Sequence, residues 1–267
     1  MNSLISKTMS VLNFLTKTAT TAVLSNDEQR SIATSIRTLE ERLEHYFPEN
    51  TIKRKLQFGS STRGTILPRI VDEQSDIDFM VVFSDATFTP ATYLSRLRSF
   101  VEKRYSASNI YQSHPTIVLE LNHIKFDLVP ATEGFLYGLQ IPGKDGTWIG
   151  TNPNDFNEKL ERKNVKHNHQ IKPAIRLLKI WNARHDFPFE SYRLEQQICS
   201  MYFANSANLK DILFTIFEDL RTGLFSPKWI NNHLTQARLR IAKIRDLEAR
   251  GLTGLAEIEA RRLLRMR

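Results

Sequence analysis

FGSSTRGTILPRIVDEQSDID, Phe58 to Asp78, sets a small Gly-Ser turn shortly before two acids on alternate residues. From Asp76 the chain continues as DIDFMVVF, an apolar, β-branched run that reads as a buried strand. Successive side chains on a strand point to opposite faces. Asp76 and Asp78 therefore share a face with Met80 and Val82, while Ile77, Phe79, Val81 and Phe83 line the other. Two ionised carboxylates this close repel each other unless a cation lies between them. Hard oxygen donors in that arrangement suit Mg²⁺ or Mn²⁺, with phosphate oxygens and water completing the shell.

A third acid stands on a later strand. TIVLEL and IKFDLV, Thr116 to Val129, are alternating runs separated by Asn122-His123, which reads as a hairpin connection. Ile124, Phe126 and Leu128 make one face of the second run and leave Asp127 on the opposite one. A lone Asp in the middle of a hydrophobic strand is strongly destabilising unless it is paired or metal-bound. The partner expected is the ion held by Asp76 and Asp78. D-x-D alone is common at loops and strand ends; the turn upstream and Asp127 downstream give it the character of a metal site.

Upstream, Ile52, Leu56 and Phe58 are in phase on a first strand, Ile52 to Phe58, which delivers Gly59 and Ser60. Glycine lets the backbone approach a ligand closely, and a turn with exposed N–H groups and a hydroxyl can cradle phosphate oxygens. Arg63 either pairs with phosphate or faces solvent; both readings stand open.

Together, the Gly-Ser turn, the D-x-D and the lone Asp on a later strand resemble the DNA polymerase β-like nucleotidyltransferases. Within that superfamily GSSTRGT, Gly59 to Thr65, resembles the Gly-Ser-x-x-basic-Gly-Thr run of the oligoadenylate synthases and their bacterial relatives, the CD-NTase or SMODS-type cyclic-oligonucleotide synthases. The resemblance spans most of the chain, but only the three acids and the turn are specific, and Leu67 to Gln74 makes the segment before the D-x-D rather long. It implies an α+β fold: a nucleotidyltransferase palm of mixed sheet and helices, a C-terminal helical lobe and an N-terminal helical brace. It further implies that Asp76, Asp78 and Asp127 are catalytic and hold two Mg²⁺ or Mn²⁺ ions, and that nucleoside triphosphates are joined into a cyclic di- or oligonucleotide second messenger with release of pyrophosphate. Bacterial anti-phage signalling is the implied setting, with regulator or effector proteins as partners. Two other readings are an RNA-tailing nucleotidyltransferase, which would need an extra RNA-gripping domain, and a non-catalytic nucleotide sensor, whose acids would be damaged.

LLKIWN and FPFESYRLEQ resemble the same family's triphosphate-binding Lys and the Ser-Tyr that opens the next helix, which points to Lys179, Ser191 and Tyr192 as nucleotide contacts. Ser191 beside a helix N-terminus can offer a hydroxyl to phosphate, and Tyr192 can stack on a base. The plainer alternative is that Ser191 caps the helix and Tyr192 packs. Lys172, Arg176 and Lys179 recur at helical spacing and project together, as a ligand-facing or a solvated stripe.

The remaining sequence frames these motifs. A chain of 267 residues with 41% hydrophobic content can bury a sizeable core. A net charge of +8 suits a polyanionic partner such as triphosphates or RNA and equally a generally basic protein. Cys199 is the single cysteine, which excludes an intrachain disulfide and a Cys-rich zinc module and suggests a reducing, cytoplasmic setting. No apolar run approaches a membrane span. Ser25-Asn-Asp-Glu28 forms a capping box ahead of Ile32, Ile36, Leu39 and Leu43. Thr89-Pro90 starts a further helix with Leu94, Leu97, Val101 and Tyr105 inside. The Gly- and Pro-containing segment Pro130 to Pro153 suggests a boundary, and everything after it is helical. The expected divisions are brace 1–50, palm 51–150 and helical lobe 151–267.

Overall fold

The alternation that begins at Asp76 yields a strand of the expected extent, β2 (Asp76–Phe83), flanked by β1 (Ile52–Phe58) running antiparallel to it. In the computed structural model, which describes residues 10–134, 138–153, 155–204, 207–223 and 226–266, β2 also pairs in parallel with β5 (Lys125–Gly134). Beyond β5 lie β4 (Thr116–Glu120) and then β3 (Asn109–Ser113), both antiparallel, so the order is β1-β2-β5-β4-β3. The turn Asn122-His123 is closed by the Leu121 N–H, which donates to the Ile124 carbonyl at 2.8 Å.

The two faces of β2 bury different things, as the alternation requires. Ile77, Phe79, Val81 and Phe83 enter the main core with Ile124, Phe126 and Leu128. Onto that face pack α2 (Asn26–Tyr46), through Ile32, Leu39 and Leu43, and α4 (Pro90–Arg104), through Tyr93, Leu94, Leu97, Phe100 and Val101. The Ser25/Glu28 capping box of α2 is formed in both directions, and Thr89 caps α4 with Pro90 in its first turn. Met80 and Val82 face the other way and join Ala131 in a smaller cluster. The acids share that second face.

The segment expected to be a boundary is sheet. β5 runs through Pro130 to Gly134, and β6 (Gly138–Pro142) and β7 (Trp148–Thr151) extend the ladder from it. Trp148 lies against the main core, its ring 5.7 Å from that of Tyr93. Pro130 is tolerated because β5 pairs with β4 only up to Leu128 and with β6 only from Thr132, so on that edge its missing N–H breaks no ladder bond.

Two compact units divide the chain, Leu24–Lys159 and Met1–Val23 with Leu160–Arg267. These limits differ from the expected ones near residues 50 and 150: α2 belongs with the sheet it packs on, and α1 (Val11–Thr21) belongs with the helices. Leu4, which falls at roughly helical spacing with Leu12 and Leu15, lies outside the described residues. The helical unit contains α6 (Ile171–Ala183), α7 (Ser191–Ser200), α8 (Leu209–Asp219), α9 (Lys228–Ala249) and α10 (Thr253–Leu263). A short helix, α3 (Gly59–Arg63), and α5 (Asp155–Lys166) complete the described elements. Among the described residues no helix is long and apolar enough to cross a membrane.

One buried histidine makes the helical unit acid-sensitive. The His185 ring stacks on Trp181 at 4.8 Å, and its Nδ1 lies 2.7 Å from the Trp181 carbonyl. Burial depresses its pKa to about 4, against the favourable hydrogen bond to that carbonyl. The unfolded chain takes up a proton near pH 6.5 and the folded one only near 4, so stability present above 6.5 is lost as pH falls between those values. We expect the stability of wild type relative to His185→Phe to fall by up to about 3 kcal/mol between pH 7.5 and 4.5, a difference that isolates this ring from the other titrating groups, read from denaturant unfolding of both chains at pH 7.5, 5.5 and 4.5.

Candidate active site

Parallel pairing of β2 with β5 sets Asp78 directly beside Asp127 and Asp76 directly beside Lys125. Paired residues on adjacent strands project to the same face, so three carboxylates and one ammonium share a small area of sheet. Lys125 was not singled out in the sequence. Its signal was nevertheless there: it stands two residues before Asp127, on the same face of the same strand.

The local geometry departs from a ready-made ion cage. Lys125 Nζ lies 3.4 Å from Asp76 Oδ2, with the two side chains 14% and 27% exposed. Asp78 turns toward the Gly-Ser turn: a Cβ added to Gly59 would fall 1.6 Å from Asp78 Oδ2. Asp127 Oδ1 is buried without a hydrogen-bond partner. Burial and the nearby Asp76 carboxylate push the Asp127 carboxyl up to about 6, opposed by Lys125. Among the described residues no three Asp, Glu, His or Cys side chains are arranged to hold a metal ion. The placements explain this, since Asp76 is engaged by an ammonium and Asp78 is directed at the turn.

The donor set still fits a hard divalent cation. It offers carboxylate oxygens alone, and the orphaned Asp127 oxygen is the kind of buried acceptor that otherwise has no compensation. Asp76, Asp78 and Asp127 are the residues that would hold it.

The turn is built around Asp78. Gly59 has φ +77°, a conformation open to glycine, and it opens α3, which closes on Gly64 in the left-handed region. Thr62 Oγ1 donates to the Gly59 carbonyl at 3.0 Å and accepts from Asn157 Nδ2 at 3.2 Å. Asn157, on α5, is thus a second residue that the sequence did not flag. Arg63 is only 7% exposed and lies over the Phe156 ring at 5.4 Å, which removes the solvent-facing alternative. Gly59→Ala is expected to destabilise the chain by about 2 kcal/mol or more in denaturant unfolding, because the methyl group meets the Asp78 carboxylate and φ is strained. Unchanged stability would mean that Asp78 moves aside freely.

Ser60 lies in α3 next to Gly59, and its carbonyl accepts from the Thr65 and Ile66 amides. The other expected nucleotide contacts lie in the helical unit. Ser191 is the first residue of α7, with Glu190 as N-cap. The Tyr192 ring is 43% exposed. Lys179 is 5% exposed and ion-paired at 2.7 Å with the fully buried Glu195 of α7. The stripe read as ligand-facing or solvated is engaged within the unit: Lys172 pairs with Glu161, and the Arg176 Nε donates to the Ala19 carbonyl.

Comparison with known proteins adds context to this geometry. The SMODS family, described as Second Messenger Oligonucleotide or Dinucleotide Synthetase domain, matches residues 9–164. A probable cyclic nucleotide synthase of Bacillus cereus (strain VD146) is 28% identical over 170 residues, which are 58% of this chain and 51% of that protein. The match therefore spans about half the length of that curated relative. Among solved structures, CdnC of E. coli MS115-1 in a CdnC:HORMA-deltaN complex has a TM-score of 0.71 at 15% identity, covering 95% of this chain and 96% of that one. The Bradyrhizobium diazoefficiens CD-NTase CdnG in complex with GTP has a TM-score of 0.69 at 12% identity, covering 96% and 98%.

Proposed function

Because this chain belongs to the SMODS family and has the polymerase β-like nucleotidyltransferase fold of its structural neighbours, we propose that it is a metal-dependent nucleotidyltransferase that joins nucleoside triphosphates into a cyclic di- or oligonucleotide and releases pyrophosphate. The observation that carries the reading is the register of β2 on β5, which sets Asp127 beside Asp78 with a buried, unsatisfied oxygen.

Asp76, Asp78 and Asp127 would hold two Mg²⁺ or Mn²⁺ ions. When bound, the ions neutralise charge on the leaving pyrophosphate and make the attacking hydroxyl more acidic. The Gly59-Ser60 turn approaches the phosphates with backbone rather than side chain, and Asn157 and Thr62 fix that backbone. Asp127 would also be placed to accept the hydroxyl proton; burial and Asp76 raise its carboxyl in the ion-free chain, and a bound divalent ion would lower it again and keep it ionised. Gly59→Ala, by displacing Asp78, should reduce turnover by about a hundredfold. We carry Ser191 and Tyr192 forward as phosphate and base contacts; the same role for Lys179 requires its ammonium to leave Glu195.

The relative solved with a HORMA protein and the one solved with GTP support nucleotide substrates and a protein regulator for this chain too. A place in anti-phage signalling belongs to the same proposal. The test is incubation of the full chain with four labelled triphosphates and Mg²⁺ or Mn²⁺, followed by mass spectrometry of phosphatase-resistant products. A resistant ring is the expected outcome. Extension of added RNA would make the chain a tailing enzyme, and binding without pyrophosphate release would make it a sensor.

A further inference from the structure

Lys125 is the feature of the acid face that the proposed reaction does not use. Its side chain is 14% exposed and its ammonium sits 3.4 Å from Asp76 Oδ2, on the strand that also carries Asp127. Register pairs it with Asp76 as it pairs Asp127 with Asp78, so the cation is set into the acid cluster by the sheet itself. A lysine cannot ligate a cation while protonated, having three donors and no acceptor. An ion that takes Asp76 must therefore either displace this ammonium or share the carboxylate with it, and in both cases the two positive charges oppose each other.

We propose that Lys125 is the resident countercharge of the acid site: it holds Asp76 while no ion is bound, is displaced when a divalent ion binds, and thereby weakens ion binding. The inference rests on the reading of Asp76, Asp78 and Asp127 as the ion site. Its physical sense lies in the alternative. Without the ammonium, the Asp76 carboxylate would stand close to the buried Asp127 carboxylate in the ion-free chain with no cation between them. With it, that chain is spared the repulsion, and the ion must compete for Asp76. The flexible four-carbon stem lets the ammonium withdraw without any movement of the strand. A triphosphate that arrives with its own negative charge offsets the competition, so ion loading becomes tied to nucleotide loading.

The experiment is titration of Mn²⁺ into the ion-free full chain without nucleotide, with free Mn²⁺ followed by electron paramagnetic resonance, in wild type, Asp78→Asn, Lys125→Met and Lys125→Arg. Wild type should bind Mn²⁺ and Asp78→Asn much less; equal binding by these two would remove the ion site itself, whatever Lys125 does. Given that site, Lys125→Met should bind about five- to tenfold more tightly than wild type. Lys125→Arg, which keeps the charge, should stay within about twofold of it. Lys125→Met binding equal to or weaker than wild type overturns the proposal. Should Lys125→Met be poorly folded without ions, its melting temperature decides: saturating Mn²⁺ must raise it further than it raises that of wild type, and an equal or smaller rise also overturns the proposal.

Discussion

Asp127→Asn is expected to do two opposite things: abolish pyrophosphate release, by at least about a thousandfold, and raise the thermal stability of the ion-free chain at pH 7.5. The first follows from losing a carboxylate that would bind an ion and accept a proton. The second follows from where the carboxylate sits. Burial and Asp76 raise its pKa from 3.8 to about 6 in the folded chain. A carboxyl shifted upward supports the fold below pH 3.8, where it is neutral in both states, and that support is lost as pH rises through 6. At pH 7.5 the folded chain therefore carries an ionised group whose burial costs up to about 3 kcal/mol. The neutral amide removes the charge and keeps the shape. The difference in melting temperature between variant and wild type, measured with a chelator present, should be several degrees at pH 7.5 and close to nothing at pH 4. A variant less stable than wild type at both pH values would show that the orphaned oxygen carries no buried charge. Asp76→Asn and Asp78→Asn should lose activity to the same degree without unfolding the chain.

The acid face was legible because the two ends of the argument are local. Alternation along DIDFMVVF assigns every side chain of β2 to its face, and alternation along IKFDLV does the same for β5. The long-range step, that Asp127 joins the ion site of Asp76 and Asp78, rested on the cost of burying a lone carboxylate; the parallel register of the two strands was not legible, since no pattern within either run specifies its partner. α2 was legible through its capping box and α4 through its Thr89-Pro90 start. By contrast, β3 is polar and mostly exposed at the sheet edge, so its residues show no apolar alternation to read. The continuation of β5 through Pro130 was hidden because a proline ordinarily ends a strand, and only the gap between the pairings of β4 and β6 makes it harmless. Asn157 is likewise invisible until α5 is seen beside α3, since its partner Thr62 lies 95 residues away.

Lys179 shows how such a distant partner changes a reading. Resemblance marks it for a triphosphate, whereas the helical unit spends its ammonium on Glu195, which is fully buried. Removing one member of a buried ion pair leaves the other charge without that compensation, and this typically destabilises by about 3–5 kcal/mol. Lys179→Met is therefore expected to lower stability by roughly that amount in denaturant unfolding, with no nucleotide present. Replacing both members with apolar residues removes the buried carboxylate along with the ammonium, so Lys179→Met/Glu195→Leu should be clearly more stable than Lys179→Met alone. The double variant also separates the two roles, because it restores the fold without restoring the ammonium. If it is stable and binds ATP as wild type does, Lys179 joins α6 to α7 and nothing more. If it is stable but has lost ATP binding, the ammonium must leave Glu195 for the triphosphate, and the pair is the resting position of a residue with a second task. A single Lys179→Met chain as stable as wild type would overturn the ion-pair account altogether.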